Sequence, residues 1–365
     1  MRTLVVSDLH LGTHTRRDVL RQPQPQARLL EALSGVDRLV LLGDVLELRH
    51  GPIRDSLAAA APVLGAIGES LGAGREVVIV PGNHDHHLLS GWFERRSCEG
   101  PPPPLELESP VRWCGGEPLA SVVRALGPVT VRAAYPGVWL RDDVYATHGH
   151  YGDRHTTVPM FERLGAGAMA RIVGEPAQGP ARAEDYEAIL SPLYAWIHAI
   201  AQYGGPNLGR SSHGASAQAW RVLDGTRGRR SWRRRALVAA FPALIAGLNQ
   251  SRLGPLRADV SGPELRRAAL RAFGEVVARV RIDAPQVVFG HTHRAGPLPG
   301  DDRSEWSAPS GPELLNTGCW LHEPEFLGPR PHESPYRAGF CVTIEDQGPA
   351  RLRNLLDGLS LAVPA

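Results

Sequence analysis

Five short apolar runs in this 365-residue chain each stop abruptly at a cluster of aspartate, asparagine or histidine. Leu4-Val5-Val6 stops at Ser7-Asp8-Leu9-His10, and Leu39-Val40-Leu41-Leu42 stops at Gly43-Asp44. Val77-Val78-Ile79-Val80 stops at Pro81-Gly82-Asn83-His84-Asp85. Val144-Tyr145-Ala146 stops at Thr147-His148-Gly149-His150, and Val287-Val288-Phe289 at Gly290-His291-Thr292-His293. Runs this short and this β-branched read as strands buried on both faces. Helical patterns around Ala27–Leu33 and Ser56–Leu71 separate the first three, which makes a βαβαβ arrangement and an α/β fold class. Loops at the carboxyl ends of the strands of such a sheet converge on one edge. Clusters that are distant in sequence are therefore expected to meet.

Pro101–Pro104 marks a loop. From Tyr151 to Ile282 the strand signal fades, and helical stretches follow at 182–202, 233–249 and 263–281. After His293, Pro- and Gly-rich segments alternate with short strands such as Leu314–Asn316 and Phe340–Ile344. The expected organisation is a core of 1–150 and 283–365, interrupted by a helical insertion, 151–282, acting as a cap.

The clusters are rich in metal ligands. Asp8-x-His10 can turn both side chains toward one ion, and the Asp44 carboxylate has two oxygens with which to bridge two. Asn83, His84 and Asp85 put an amide, an imidazole and a carboxylate on one tight turn, and His148, His150, His291 and His293 add imidazoles. Nitrogen and oxygen ligands without a thiolate suit Mn, Fe, Zn, Ni or Co better than Ca or Mg. The ligands are too many for one ion and about enough for two. A two-metal site clamps the attacking and leaving oxygens of a displacement at phosphorus, and it makes hydroxide from a bridging water near neutral pH.

The ordered set resembles the calcineurin-like metallophosphoesterases, whose signature runs Asp-x-His, Gly-Asp, Gly-Asn-His-Asp/Glu, His-Gly and Gly-His-x-His. The resemblance covers about 1–150 and 285–320. It implies a β-sandwich flanked by helices (αββα), with the helical insertion as an addition. It also implies two divalent metals, with Mn first. Asp8, His10 and His293 would hold one ion, Asn83, His148 and His291 the other, and Asp44 would bridge them. His84 would donate to the phosphoryl or leaving-group oxygen, and Asp85 would orient it. The residues leave His148 and His150 open as the ligand beside Gly149; the family pattern selects His148. His150, Asp153 and His155 are then candidates for the substrate side. Asn316-Thr317-Gly318 looks like the turn that follows the last histidine pair in many members.

Within the family, His148-Gly149-x-Tyr151-x-Asp153 before a helical insertion looks most like the UDP-2,3-diacylglucosamine pyrophosphatase branch, although the insertion here is larger. The expected reaction is hydrolysis of a phosphodiester or pyrophosphate bond, in a small molecule or a nucleotide-linked lipid or sugar. Alternatives are a nuclease or a phosphomonoesterase, and further off a non-catalytic metal-binding scaffold. A net charge of +2 supplies no global field for nucleic acid. The basic run Arg227–Arg235 and the apolar run Ala236–Leu248 read as a solvated helix start leading into a core helix. The sharper alternative is a peripheral membrane contact through 227–248. Four cysteines without Cys-x-x-Cys spacing and no span-length apolar stretch fit a reducing cytoplasm.

Overall fold

The computed structural model describes residues 1–98, 100, 102–203, 244–250, 254–257, 259 and 262–361. The basic run 227–235 and most of the helix expected at 233–249 lie outside the described residues. Contacts divide the chain into two units. The first comprises 1–150, 282–307 and 311–365, and the second comprises 151–281 with 308–310.

The first unit is mixed α/β, with a large central sheet flanked by helices. It opens with the expected alternation: β1 (Thr3–Val6), α1 (Pro23–Ala32), β2 (Arg38–Leu42), α2 (Ile53–Leu71) and β3 (Glu76–Val80). These three strands are parallel, in the register Thr3 to Arg38 to Glu76. After α3 (Ser90–Cys98) come β4 (Glu108–Pro110), α4 (Pro118–Leu126), β5 (Thr130–Arg141) and β6 (Val144–Thr147). The chain returns from the second unit into β7 (Gln286–Phe289), β8 (Glu313–Asn316), β9 (Phe340–Ile344) and β10 (Arg351–Asn354). The strand order is β10-β9-β1-β2-β3-β5-β6-β7-β8, with β4 on β5.

One strand ties this sheet together. β5 runs parallel to β3 over Thr130–Ala133 and antiparallel to β6 from Gly137 onward. Alternate residues of the central strands then serve two cores. Leu4, Val6, Leu39, Leu41, Val77 and Ile79 pack with residues of α1, α2 and α4. Val5, Val40, Leu42, Val78 and Val80 pack with Val138, Val144, Ala146 and Val288 from β5, β6 and β7. Period-2 side chains buried on both faces explain why these runs carry no polar alternation. Each such side chain contributes about 1.5–3 kcal/mol by leaving water.

The second unit is helical. It contains α5 (Phe161–Val173), α6 (Ala183–Tyr203) and α7 (Gly262–Arg279), and α5 packs on α6. Among the described residues, no helix is long and apolar enough to cross a membrane.

Candidate metal centre

All the expected ligands belong to the first unit. Asp8 follows β1, Asp44 follows β2, Asn83 follows β3, His148 follows β6, and His291 and His293 follow β7. β1 to β3 run parallel, and so do β6 and β7, so their carboxyl ends carry the loops to common edges.

The backbone there is strained. Among the described residues, seven non-glycine positions lie in the left-handed region, and five of them are Asp8 (φ 54°), His10 (45°), Asp44 (52°), His291 (68°) and His293 (57°). Each such residue costs about 1–3 kcal/mol and persists only where its surroundings over-determine it. The glycines beside them leave room that a side chain would fill. A Cβ on Gly43 would lie 2.2 Å from His148 Nδ1, and one on Gly290 would lie 2.4 Å from Ser7 Oγ.

The side chains converge in three groups whose ligand atoms lie within 4.8 Å of one another: Asp8, His10 and His293; His10, Asp44 and His84; Asp44, His148 and His291. His10 joins the first group to the second, and Asp44 joins the second to the third. Asp44 Oδ2 lies 3.1 Å from His148 Nε2 and 3.8 Å from His10 Nε2. The outer nitrogens are anchored. His148 Nδ1 donates to the Leu42 carbonyl at 3.0 Å, which turns Nε2 inward. His10 Nδ1 lies 3.0 Å from Glu47 Oε2, which leaves its Nε2 3.1 Å from His293 Nε2. His293 Nδ1 faces Glu323 Oε2 at 3.6 Å. A carboxylate or carbonyl behind a ligating imidazole fixes its tautomer and raises its basicity.

The set fits divalent cations on its own chemistry. Asp8 Oδ1 is buried without a hydrogen-bond partner and lies 3.3 Å from His293 Nε2. With its oxygen inward, the Asn83 amide has two imidazole nitrogens at 3.1 and 3.2 Å. Turned over, it donates to those nitrogens and to Asp44 Oδ2, and its oxygen accepts from Arg49 Nη1 and Nη2 at 3.3 and 3.1 Å. The electrostatics say the same. Burial opposes charge on Asp44, yet the imidazoles of His148, His84 and His10 hold its carboxyl well below the usual range. Burial likewise opposes the His148 cation, yet Asp44 and Asp8 push it up to about 9. His293 is raised well above its ordinary value, against burial, by Asp8 and Glu323. The carboxylates draw positive charge, and protons serve where no metal is bound.

Several residues that organise the centre were not read from the sequence. Glu47 is fully buried and meets both His10 and His84, the latter at 2.8 Å through Nδ1. Its position three residues after Asp44 was the available signal. The resemblance gives Asp85 the part of orienting His84. In the structure Glu47 lies at His84 Nδ1, while both Asp85 oxygens accept backbone amides of Gly82, Asp44, Val45 and Leu46. Asp85 thus pins the Asp44 loop to the Asn83 turn. Burial and the Asp44 charge push its carboxyl up to about 6. Ser7 donates to Asp8 Oδ2 and bonds Thr317, while Asn316 Nδ2 donates to the Gly290 carbonyl at 2.8 Å. The Asn316-Thr317-Gly318 turn therefore braces the Asp8 and His291 loops together.

The remaining candidates are placed differently. His150 is buried, with its Nε2 3.0 Å from the Tyr135 hydroxyl and its ring stacked on Tyr135. Of these two neighbours of Gly149, it is His148 that joins the ligand group. Asp153 and His155 belong to the second unit. There Asp153 is buried, and His155 Nε2 lies 2.7 Å from the Tyr186 hydroxyl.

No curated protein matches the chain. Among solved structures, a dimetal phosphatase from Danio rerio is similar at 13% identity, with a TM-score of 0.37, covering 98% of this chain and 97% of that one. Residues 1–172, which carry every candidate ligand except His291 and His293, match the family of calcineurin-like phosphoesterases.

Proposed function

We propose that the protein is a two-metal phosphoesterase that cleaves a phosphodiester or pyrophosphate bond in a small-molecule or lipid substrate, a nucleotide-linked lipid or sugar among them. The observation that carries this reading is the set of three ligand groups sharing His10 and Asp44, with His84 among them and Glu47 behind it. Asp8, His10 and His293 would hold one divalent ion, Asn83, His148 and His291 a second, and Asp44 both. Two such ions, with Mn the first choice, supply Lewis acidity to phosphoryl oxygens and lower the pKa of water. With Nδ1 turned to Glu47, His84 keeps Nε2 for the phosphoryl or leaving-group oxygen. Arg49, buried beside Asn83, adds a fixed positive charge toward the non-bridging oxygens.

The test is Mn²⁺-dependent hydrolysis of p-nitrophenyl phosphate, bis-p-nitrophenyl phosphate and a UDP-sugar pyrophosphate. Cleavage of the diester or pyrophosphate in preference to the monoester is expected. Preference for the monoester overturns the bond class, and failure of the purified protein to retain any metal overturns the two-metal reading.

A further inference from the structure

Among the described residues, the second unit buries a cation that makes no ion pair. Arg163, in the first turn of α5, is 1% exposed. Its Nε donates to the Thr156 carbonyl at 2.9 Å, so the guanidinium lies back over the segment that leads into the helix. Its Nη1 is buried without a hydrogen-bond partner, and no ion pair to Arg163 occurs among the described residues. The carboxylate that favours its charge from nearby, Glu175, makes its ion pair with Arg154. Thr157, next to the carbonyl that Arg163 holds, also buries its hydroxyl without a partner.

The helix end adds to this. Met160 caps α5 and contributes no side-chain acceptor to the first-turn amides. Those amides, with the helix dipole, favour an anion and disfavour a cation. Glu162 is the only acidic residue of that turn. The charges near His155, next to Thr156, are positive as well. Burial, then Arg279, Arg154 and Arg163, push the His155 imidazole down to about 3. Burial and Arg154 pull even Arg163 down to about 10, so it is still charged at neutral pH.

We propose that the N-terminal end of α5 binds a phosphate-type oxyanion, held by the Arg163 guanidinium, the Phe161 and Arg163 amides at the helix end and the Thr157 hydroxyl. Planar guanidinium donors and a helix N-terminus are both suited to a tetrahedral oxyanion. The site needs none of the residues assigned to the metal centre, so it stands or falls separately.

The experiment uses the full chain stripped of metal by EDTA, so that phosphate cannot be held by bound ions. Thermal unfolding is followed against millimolar inorganic phosphate, and separately against glycerol phosphate, at constant ionic strength. The wild-type Tm is expected to rise and saturate with at least one of the two, as linkage requires. A response to inorganic phosphate alone assigns the free ion; a response to the ester assigns a phosphate group on a larger molecule. Arg163→Met is expected to lose the response and to start at or above the wild-type Tm, because an uncompensated buried charge has been removed. If that variant does not fold, Arg163→Lys decides, with half-saturation expected at several-fold higher phosphate. A wild-type Tm flat in both titrations, a non-saturating rise shared by wild type and Arg163→Met, or an unchanged curve in Arg163→Lys overturns the proposal.

Discussion

The metal centre of the first unit is built on buried carboxylates, and the start of α5 in the second on a buried guanidinium. In the first, Asp8, Asp44 and Glu47 are each at most 1% exposed, and their neighbours are imidazoles, which can give up a proton. In the second, Arg163 is equally buried, and it keeps its charge at neutral pH. A centre built from carboxylates and imidazoles can adjust, filling with protons when cations are scarce. A buried guanidinium cannot adjust and has to be met by an anion. The difference separates a site that tolerates being empty from one that is penalised for it.

The comparison breaks most sharply at Asp44. Asp44→Asn removes the carboxylate shared by two of the three ligand groups and assigned to both ions, so the largest loss of metal by elemental analysis is expected. Activity should fall further than for any other variant. His84→Asn should keep the metals and lower kcat by about 10²–10³-fold. Equal metal loss in the two variants would erase the division between holding cations and handling substrate. Glu47→Gln weakens the anchor of His10 and His84 together, and a loss of about 10–100-fold in metal affinity or activity is expected. An effect confined to kcat would mean that Glu47 serves His84 alone.

The adjustable charge of the first unit has a signature in pH. In metal-free protein His148 lies at about 9, against its ordinary 6.5. A raised folded-state pKa stabilises fully below the ordinary value and is lost as pH rises through the folded one. The Tm of EDTA-treated protein should therefore fall between pH 6.5 and about 9, and metal should flatten this slope. Titration calorimetry of metal into the stripped protein, in buffers of different ionisation enthalpy, should show proton release. No release would mean that the imidazoles are already neutral. The smallest expected effect is that of Ser7→Ala, about 1 kcal/mol from lost bonds to Asp8 and Thr317.

What the sequence made legible was whatever interrupts a buried strand. Asp8, Asp44, Asn83, His148 and His291 each follow an apolar run that has no polar alternation of its own, so the break is sharp. Glu47 escaped because it sits among Val45, Leu46 and Leu48, where a single carboxylate reads as a surface position. Its burial depends on His10 and His84 arriving from other loops. The part played by Asp85 was hidden for a similar reason, since its four amide donors come from Gly82 and from the Asp44 loop. β5 gave little signal because Tyr135-Pro136-Gly137 cuts its pattern where the strand changes partner. Arg163 was invisible in a chain whose 40 basic residues are all arginine.

His291 follows Asp8 by 283 residues, yet its amide bonds the Asp8 carboxylate. At the usual pace of synthesis, about 5–20 residues per second, that gap takes roughly 15–60 s to make. The first strands and their Asp8, His10, Asp44 and Asn83 loops leave the ribosome long before the histidines that complete the set. For that interval the nascent chain carries an open half-site in which water and small ligands complete any ion's coordination. Metal caught then would be held loosely and exchange, and tight retention would begin only when the loop after β7 brings in His291 and His293. Which metal a mature two-metal protein of this design would carry is therefore settled late, by the pool that it meets once its last ligands are in place.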